Sequence, residues 1–338
     1  MPTNQIIVLD NRPQGEARAS NFKLISAETA PLQDGQVLVR NHYLSLDPYM
    51  RGRMNDSKSY AAPQPLGQVM EGGTVGEVME SRNAKFQAGD VVVGRGGWQH
   101  YTVIEPAAVG TYRKVDTSQI PMSHFLGAVG MPGVTAWYGL VKIIAPKAGE
   151  TVTVSAASGA VGSAYGALAK ARGCRVVGIA GGKDKCDYAV NELGFDACVD
   201  YKAHTDAISL SKALKVACPN GIDGHFENVG GMVLDAVMMR MNAFSRMAVC
   251  GMIAGYDGAP LPMSNPAAIL INRMKVQGFI VSEHPEVWPE ALQELGGMIA
   301  SGSLRPRETV AQGLAAAPEA LLGLLKGKNF GKQLVKLI

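Results

Sequence analysis

The chain has 338 residues, of which 47% are hydrophobic and 18% charged, and this favours a soluble enzyme with about two domains. A formal net charge of +3 is too small over this length to indicate a nucleic-acid-binding protein, and no basic run or RNA-type aromatic motif is present. The N-terminus lacks a signal-peptide pattern, no uncharged apolar stretch could span a bilayer, and the five cysteines form no CxxC pair. We therefore expect a cytoplasmic protein with reduced thiols.

The first 125 or so residues are rich in short strand-like patterns separated by glycine and proline, which predicts a small β-barrel or sandwich. Within this region the sequence LSLDPYMRGRM starts at Leu44, and its Asp47-Pro48 pair predicts a turn or short helix after a strand. Tyr49 follows this pair and either lines a pocket or lies on an ordinary surface loop. The predicted strands are Gln5–Leu9, Phe22–Ala27, Gln36–Ser45, Val69–Met79, Asp90–Gly94 and His100–Ile104.

The character of the sequence changes near Leu126, and a domain boundary is expected at about Gly127 to Pro132. A helix is predicted over Thr135–Ile144. The stretch TVTVSAASGAVG (151–162) then predicts a buried strand, a tight turn and the start of a helix.

The glycine spacing of this stretch is a variant of GxGxxG, with Ala157 in the first place and then Gly159 and Gly162. A pyrophosphate needs bare backbone N–H groups at a helix N-terminus, and only small residues allow such close approach. In this context the turn predicts a dinucleotide site, although a glycine-rich turn alone is also compatible with a structural β–α connection.

From Thr151 onward, strands and helices alternate, which predicts an α/β domain with a doubly wound parallel sheet. The predicted strands are Thr151–Ala156, Arg175–Ala180, Ala197–Asp200, Gly224–Glu227, Met247–Gly251 and Lys275–Phe279. The predicted helices are Ser163–Arg172, Lys183–Leu193, Ile208–Ala217, Val233–Met241 and Ala267–Asn272.

The C-terminal segment predicts a helix over Trp288–Ser301, a strand over Glu308–Gln312, a helix over Ala317–Lys326 and a strand over Lys332–Leu337. We expect the terminal strand to pair with the N-terminal domain. The first domain would then be discontinuous, formed by residues 1–129 and 308–338, with residues 130–307 as the dinucleotide-binding domain.

The end of the second strand of a dinucleotide fold distinguishes NAD from NADP, because an acidic residue there binds the ribose 2′-OH. Here the strand ends in GIAGG without a carboxylate, and Lys183 and Lys185 open the next helix. Cations are poorly placed at a helix N-terminus unless they bind an anion such as the 2′-phosphate, so the pattern favours NADP. Solvated lysines are the alternative. Tyr201, after the third strand, could flank the same phosphate.

The sequence predicts no metal site. Residues 1–150 contain no cysteine, and His42, His100 and His124 have no paired spacing. Without a Lewis acid, hydride addition to an activated C=C bond is easier to support than carbonyl–alcohol interconversion, because a phenol or hydroxyl can stabilise an enolate.

Seven motifs, in chain order, resemble those of one family: LSLDPYMRGRM, GAVGMPGVTAWYGL, AASGAVGS, ELGFDACVDYK, HFENVGG, VCGMIAGY and KGKNFGKQLVK. The chain resembles the zinc-independent medium-chain dehydrogenase/reductases, in particular the NADPH-dependent alkenal/one oxidoreductases, which include prostaglandin reductases and bacterial curcumin reductases. The resemblance covers essentially the whole chain. It implies a GroES-like β-barrel plus a Rossmann domain, NADPH as cofactor and a homodimer.

The resemblance also implies roles for individual residues. Tyr256 would donate a hydrogen bond to the substrate carbonyl, and Tyr49 would form a wall of the substrate pocket. Because the loop GGKDK is one residue longer than in the mammalian members, it stays open whether Lys183 or Lys185 binds the 2′-phosphate. The cofactor-binding residues implied are Thr135, Gly159, Ala160, Val161, Gly162, Lys183, Lys185, Tyr201, Asn228, Cys250, Gly251, Tyr256, Phe279, Ile280, Val281 and Asn329.

These observations predict an NADPH-dependent reductase of the C=C bond of α,β-unsaturated ketones and aldehydes. A quinone reductase of the same superfamily and a non-catalytic NADPH-binding protein remain as alternatives, while a zinc alcohol dehydrogenase is disfavoured by the missing ligands. For Asn228, Tyr256 and Asn329 the alternatives are ordinary turn or loop positions.

Overall fold

The computed structural model describes residues 2–29 and 31–338, and the chain divides into two compact units. One unit comprises Met1–Leu126 and Glu308–Ile338, and the other comprises Gly127–Arg307. The first unit is therefore discontinuous in sequence.

The secondary structure follows the chain in three parts. The N-terminal part contains β1 (Thr3–Leu9), β2 (Phe22–Glu28), β3 (Val37–Ser45), α1 (Tyr49–Arg53), β4 (Thr74–Ser81), β5 (Val91–Gly94), β6 (Tyr101–Ile104) and β7 (Arg113–Lys114). The middle part contains α2 (Met131–Tyr138), β8 (Thr151–Ser155), α3 (Ala160–Ala171), β9 (Arg175–Ala180), α4 (Lys183–Asn191), β10 (Ala197–Asp200), α5 (Ala207–Ala217), β11 (Ile222–Glu227), α6 (Gly231–Met238), β12 (Met241–Val249), α7 (Ala267–Ile271), β13 (Lys275–Gly278) and α8 (Trp288–Ala300). The last part contains β14 (Glu308–Gln312), α9 (Ala317–Leu325) and β15 (Lys332–Lys336).

The discontinuous unit is a barrel-like arrangement of strands. Its larger sheet has seven strands in the order β14-β15-β3-β4-β5-β7, with β6 also paired to β3, and β1 and β2 form a separate antiparallel pair. The C-terminal strand β15 runs antiparallel to β3, with Leu334 opposite Ser45. The expectation that the terminal strand joins the N-terminal region is confirmed.

The continuous unit is an α/β domain around a parallel sheet of six strands in the order β10-β9-β8-β11-β12-β13. The chain moves outward in one direction from β8 to β10 and in the other from β11 to β13. Ligands of doubly wound sheets bind beyond the carboxyl ends of the strands where this direction reverses, which here lies between β8 and β11. The predicted Rossmann sheet and the barrel-like domain are both confirmed.

Each unit has its own apolar core, because alternating strand residues and one face of each helix are hydrophobic. In the α/β unit, Ile179, Leu210 and Val237 are fully buried in one cluster. In the other unit, Met50 and Trp98 are fully buried in a cluster of their own. Both sheets are therefore covered by apolar side chains, which holds the strand ends in fixed positions.

Four predicted elements differ clearly from the structure. The strand predicted over Val69–Met79 begins only at Thr74, because the residues before it form no continuous ladder: Val69 makes only an isolated bridge to Val8. The helix predicted over Thr135–Ile144 starts earlier, at Met131, with proline in its first turn. It continues as a π-helical segment over Gly139–Ile144.

The helix predicted over Val233–Met241 ends at Met238, and Met241 begins β12. This strand is much longer than the predicted Met247–Gly251. The polar residues Asn242, Ser245 and Arg246 interrupt the apolar pattern of its first half, so the sequence did not indicate that part of the strand. No helix in the described ranges, 2–29 and 31–338, is long and apolar enough to cross a membrane.

Candidate cofactor-binding site

The turn between β8 and α3 exposes backbone rather than side chains. Gly159 is the N-cap of α3 and no side chain caps the helix. An added Cβ at Gly162 would lie 2.5 Å from Ala156 O and 2.7 Å from Ala157 O, so only glycine fits there. Among the described residues, the amides of Ala160, Val161 and Gly162 have no hydrogen-bond partner. Such N–H groups at a helix N-terminus can bind the diphosphate of a dinucleotide.

The alanine in the first glycine position of this turn has a structural explanation. Ala157 is fully buried and faces the neighbouring strand β9 at Gly178. An added Cβ at Gly178 would lie only 2.7 Å from the Ala157 methyl group. Gly178, on the adjacent strand, thus leaves the space that the Ala157 methyl group occupies.

Positively charged side chains meet at the carboxyl end of β9. An added Cβ at Gly181 would lie 2.9 Å from the Tyr201 hydroxyl and 3.0 Å from Lys202 Cε, so both side chains lie against this strand end. Burial and the positive charge of Lys202 lower the pKa of Lys185. Two ammonium groups that repel each other in this way form a suitable environment for a phosphate.

Lys183 is placed differently from Lys185. Its side chain is 83% exposed, and its Nζ lies 2.5 Å from Asp187 Oδ2 one helical turn later. The geometry therefore favours Lys185, together with Lys202, for the phosphate. Lys202 was missed in the sequence; the D-Y-K run after the third strand was the signal that could have indicated it.

A carboxylate beside this cluster is bound to backbone. Asp200, at the end of β10, accepts hydrogen bonds from the amides of Gly182 at 2.7 Å and Lys202 at 2.9 Å. It thereby closes the turn between β9 and α4. Because it lies on the third strand and not the second, it does not occupy the position from which an acid selects NAD.

Asn228 follows β11 and is fixed to the neighbouring strand β8. Its backbone amide donates to Ser155 Oγ at 2.7 Å, and its side-chain Nδ2 donates to the Ser155 carbonyl at 2.8 Å. These bonds hold the asparagine at the point where the strand order reverses. Its side-chain oxygen accepts no hydrogen bond from the described residues and is available to a ligand.

Tyr256 lies on the segment that follows β12. Its amide donates to Ile253 O at 3.2 Å, and its hydroxyl would be 2.8 Å from a Cβ added to Gly251. The amides of Cys250 and Gly251 both donate to Glu227 O, at 2.9 and 3.2 Å. The phenol is therefore held close to the backbone that continues β12. Burial and the charge of Glu227 raise the pKa of the Cys250 thiol to about 12, so this cysteine is a neutral wall residue.

The remaining candidates in the α/β unit are mostly packed against its interior. Thr135 is buried, and its hydroxyl donates to Met131 O at 2.7 Å within α2. Phe279 follows β13 and packs 5.3 Å from the Tyr138 ring. Ile280 precedes a 3-10 turn that begins at the buried Val281.

Tyr49 belongs to the discontinuous unit, where it begins α1. Burial and the charges of Asp47 and Glu71 raise its pKa well above the ordinary value for tyrosine, so its hydroxyl is protonated at neutral pH. The guanidinium of Arg53 lies 5.8 Å from the Tyr49 ring centre and 4.9 Å from that of Tyr60. The structure thus places Arg53, from the motif LSLDPYMRGRM, against the rings of both Tyr49 and Tyr60.

Asn329 also belongs to the discontinuous unit. Its side-chain amide donates to Gly331 O at 2.7 Å, which shapes the turn before β15. The residue lines a groove of about 350 Å³ together with Thr309, Glu319 and Gln333. Within residues 2–29 and 31–338, no group of three or more histidine, cysteine, aspartate or glutamate side chains is placed to hold a metal ion.

Comparison with known proteins identifies the class of protein to which this fold and site belong. The family model described as the N-terminal domain of oxidoreductase matches residues 5–111, and that described as zinc-binding dehydrogenase matches residues 160–296. The crystal structure of CurA in complex with NADPH from Vibrio vulnificus superposes with a TM-score of 0.92 at 44% identity and covers 99% of both chains. Fold and family models together define a medium-chain dehydrogenase/reductase.

Curated relatives narrow the class further. The chain is 44% identical to the NADPH-dependent curcumin reductase of Escherichia coli (strain K12), over 99% of this chain and 97% of the relative. It is 41% identical to the NADP(+)-dependent 2-alkenal reductase of Nicotiana tabacum, over 98% of this chain and 97% of the relative. The chain belongs to the medium-chain dehydrogenase/reductase family, in its group of NADPH-dependent alkenal/one oxidoreductases, as the ordered motifs predicted.

Proposed function

We propose that the protein is an NADPH-dependent reductase that adds a hydride to the β-carbon of α,β-unsaturated ketones and aldehydes. The observation that carries this proposal is a pair of features in the α/β unit. The amides of residues 160–162 at the start of α3 have no partner among the described residues, and Lys185 and Lys202 lie near the end of the neighbouring strand β9. The relatives named as curcumin and 2-alkenal reductases support the choice of a conjugated C=C bond as the substrate group.

The residues present fit the cofactor. Gly162, which tolerates no side chain, and the three amides of 160–162 would hold the diphosphate. Lys185 and Lys202 would neutralise the 2′-phosphate, with Tyr201 packed beside them. Asn228 would contact the ribose on the nicotinamide side. The other expected contacts of the nicotinamide end are Thr135, Cys250, Gly251, Phe279, Ile280 and Val281.

When bound, NADPH supplies the hydride for the reduction. The role of the chain is to polarise the substrate, and the Tyr256 hydroxyl would donate a hydrogen bond to its carbonyl oxygen. This donor stabilises the negative charge that develops on the oxygen as the β-carbon is reduced. The resulting enolate takes a proton at its α-carbon from solvent, so no side chain need act as the final acid.

The discontinuous unit, residues 1–129 with 308–338 in the sequence-based division, would serve as the GroES-like catalytic domain. Tyr49 would form a wall of the substrate pocket, and its raised pKa keeps the hydroxyl neutral beside an apolar substrate. Asn329 would contact the cofactor from the C-terminal segment. Residues 130–307 would form the NADP-binding domain.

The test is to follow NADPH oxidation by the purified protein across a panel of enals, enones, curcuminoids and quinones, with NADH as the control. Turnover of enals and enones with NADPH, and little with NADH, is the expected result. Turnover of quinones alone would identify a quinone reductase. Cofactor binding without turnover of any compound would identify a non-catalytic NADPH-binding protein, and either result contradicts the proposal.

A homodimer in the cytoplasm is the second part of the proposal. Strand β13 lies at the edge of the six-stranded sheet, and Leu270, Ile271 and Val276 near it are exposed apolar residues. An edge strand with apolar neighbours is a template for pairing with a second copy. Light scattering of the wild type should give twice the chain mass of 35.7 kDa, and Val276→Lys should reduce it toward the monomer. Cell fractionation would test the location.

A further inference from the structure

A buried carboxylate, Glu227, lies at the end of β11 directly before the asparagine turn. The residue is fully buried, as is His225 two positions earlier on the same strand. Burying a charge is costly unless the charge is fully hydrogen-bonded. The surroundings of this carboxylate therefore need an explanation beyond packing.

Four donors converge on Glu227. Oε1 accepts from Ser155 Oγ at 2.8 Å, from the amide of Val229 at 2.5 Å and from that of Gly230 at 2.9 Å. Oε2 lies 2.9 Å from His225 Nε2. Burial alone raises the pKa of Glu227, but these hydrogen bonds outweigh burial and lower the pKa below its ordinary value. The carboxylate is thus ionised and accepts from all four groups.

The histidine is fixed from its other side. His225 Nδ1 lies 2.7 Å from Thr153 Oγ1, and the threonine is also fully buried on β8. Since an ionised carboxylate can only accept, His225 Nε2 carries the proton and donates to Glu227. The chain Thr153–His225–Glu227 therefore ties β8 to the end of β11 through side chains.

This carboxylate connects to both candidate ligand-binding segments of the unit. Ser155, which donates to Glu227, also accepts from the Asn228 amide. The carbonyls of Asn228 and Val229 accept from the amides of Ile253 and Ala254, at 3.1 and 3.0 Å. The segment so anchored carries Tyr256 three residues after Ile253.

We propose that Glu227 is a positioning residue whose four hydrogen bonds fix the Asn228 turn and, through it, the segment 253–256 that carries Tyr256. The role rests on the proposed function in that these two segments are taken to receive the nicotinamide end and the substrate carbonyl. Glu227 would act by holding the backbone of these segments, and not by contact with the nicotinamide or the substrate.

Two substitutions of graded severity test the proposal. Glu227→Leu removes both acceptor oxygens and leaves the Val229 and Gly230 amides and His225 Nε2 without their partner. Glu227→Gln keeps one oxygen, and His225 can switch its proton to Nδ1 to accommodate the new amide group. We expect hydrogen exchange of the apoprotein at residues 228–230 and 253–256 to rise about tenfold or more in Glu227→Leu and less in Glu227→Gln. The NADPH Kd should rise in the same order.

The matched control is Glu150→Leu, at the amino end of β8. Glu150 forms an ion pair with Arg246 at 2.5 Å. The same Glu→Leu change therefore removes a paired carboxylate, but at the opposite end of the sheet. In this variant, exchange at 228–230 and 253–256 should stay within about twofold of the wild type. Should Glu227→Leu not fold, Glu227→Gln and Ser155→Ala provide the same measurement.

Wild-type exchange in these segments for the folded Glu227 variants would overturn the proposal. Exchange that rises uniformly along the whole unit would also overturn it, because it would indicate general destabilisation. Failure of the proposed function is recognised separately: the wild-type protein would then not oxidise NADPH with enals or enones, while the exchange measurement on the apoprotein would still decide the role of Glu227.

Discussion

The turns after β8 and after β11 both connect a strand to a helix through glycines, but they differ in whether their backbone amides are already hydrogen-bonded. After β8, the amides of residues 160–162 have no partner in the described part of the chain. After β11, the amides of Val229 and Gly230 are bound by the carboxylate of Glu227. The amides of the first turn can therefore bind an anion. Those of the second turn are occupied, so a ligand there can be contacted only by side chains such as Asn228.

The turn after β9 is intermediate between these two. Its Gly182 amide is occupied by Asp200, as the amides after β11 are occupied by Glu227. Positive charge is supplied instead by Lys185 and Lys202. The amides of a glycine turn can therefore bind an anion only where no carboxylate of the protein already accepts their hydrogen bonds.

The comparison is tested most severely at Gly162. Gly162→Ala places a Cβ within 2.8 Å of the backbone of Ala156 and Ala157, so the turn must move. We expect the free energy of unfolding to fall by about 1–3 kcal/mol. The NADPH Kd should rise about a hundredfold or more, because the three amides lose their arrangement. Calorimetry of unfolding and of NADPH binding measures both.

Gly297→Ala is the control for this substitution. Gly297 lies in α8, and an added Cβ there would meet no atom within 4 Å. The change should stabilise the protein slightly, by about 0.4–1 kcal/mol, and leave NADPH binding unchanged. If Gly162→Ala behaved in the same way, the backbone-cradle interpretation of the β8 turn would be wrong.

The second test concerns the Tyr256 hydroxyl, which would act on the substrate through a side chain and not through the backbone. Tyr256→Phe should lower kcat for an enone by about 30- to 100-fold, because one donor to the developing oxyanion is lost and water replaces it only in part. Because phenylalanine keeps the aromatic ring, the NADPH Kd should change far less than kcat. Steady-state kinetics with an enone, with Tyr188→Phe as a tyrosine control in the same unit, measures the effect. A full rate in Tyr256→Phe would exclude the tyrosine from catalysis.

The third test separates the lysines. Lys185→Ala and Lys202→Ala should each weaken NADPH binding by about tenfold, the expected loss for a hydrogen bond to a charged group. NADH binding should not change in either variant. Lys183→Ala should have less than about a twofold effect, because its ammonium is exposed and paired with Asp187. Titration of each variant with both nucleotides decides between the three side chains.

Local sequence patterns were sufficient for much of the fold. The alternation after Thr151 predicted the parallel sheet, because buried strands and amphipathic helices each have their own periodicity. The strands Arg175–Ala180 and Ala197–Asp200 were predicted to the residue. The long β12 was not, because Asn242, Ser245 and Arg246 break the apolar run from which a strand is recognised.

The candidate site shows a different limit. Glycines of the β8 turn are neighbours in sequence, so their spacing could be interpreted directly. Lys202 and Lys185 meet only because β10 lies beside β9, and Glu227 is understood only with Ser155 on β8. Contacts between strands distant in sequence depend on the strand order, which periodicity does not supply.

The smallest expected effect is at Asp200, the carboxylate that fills the turn after β9. Asp200→Asn keeps an oxygen that can accept from the amides of Gly182 and Lys202, so the turn should keep its shape. The change removes a negative charge from the neighbourhood of Lys202. We therefore expect NADPH to bind about two- to threefold more tightly at low salt, with the difference lost at high salt because exposed charges are screened. Weaker binding in this variant would mean that the charge of Asp200, and not only its oxygen, is needed to close the turn.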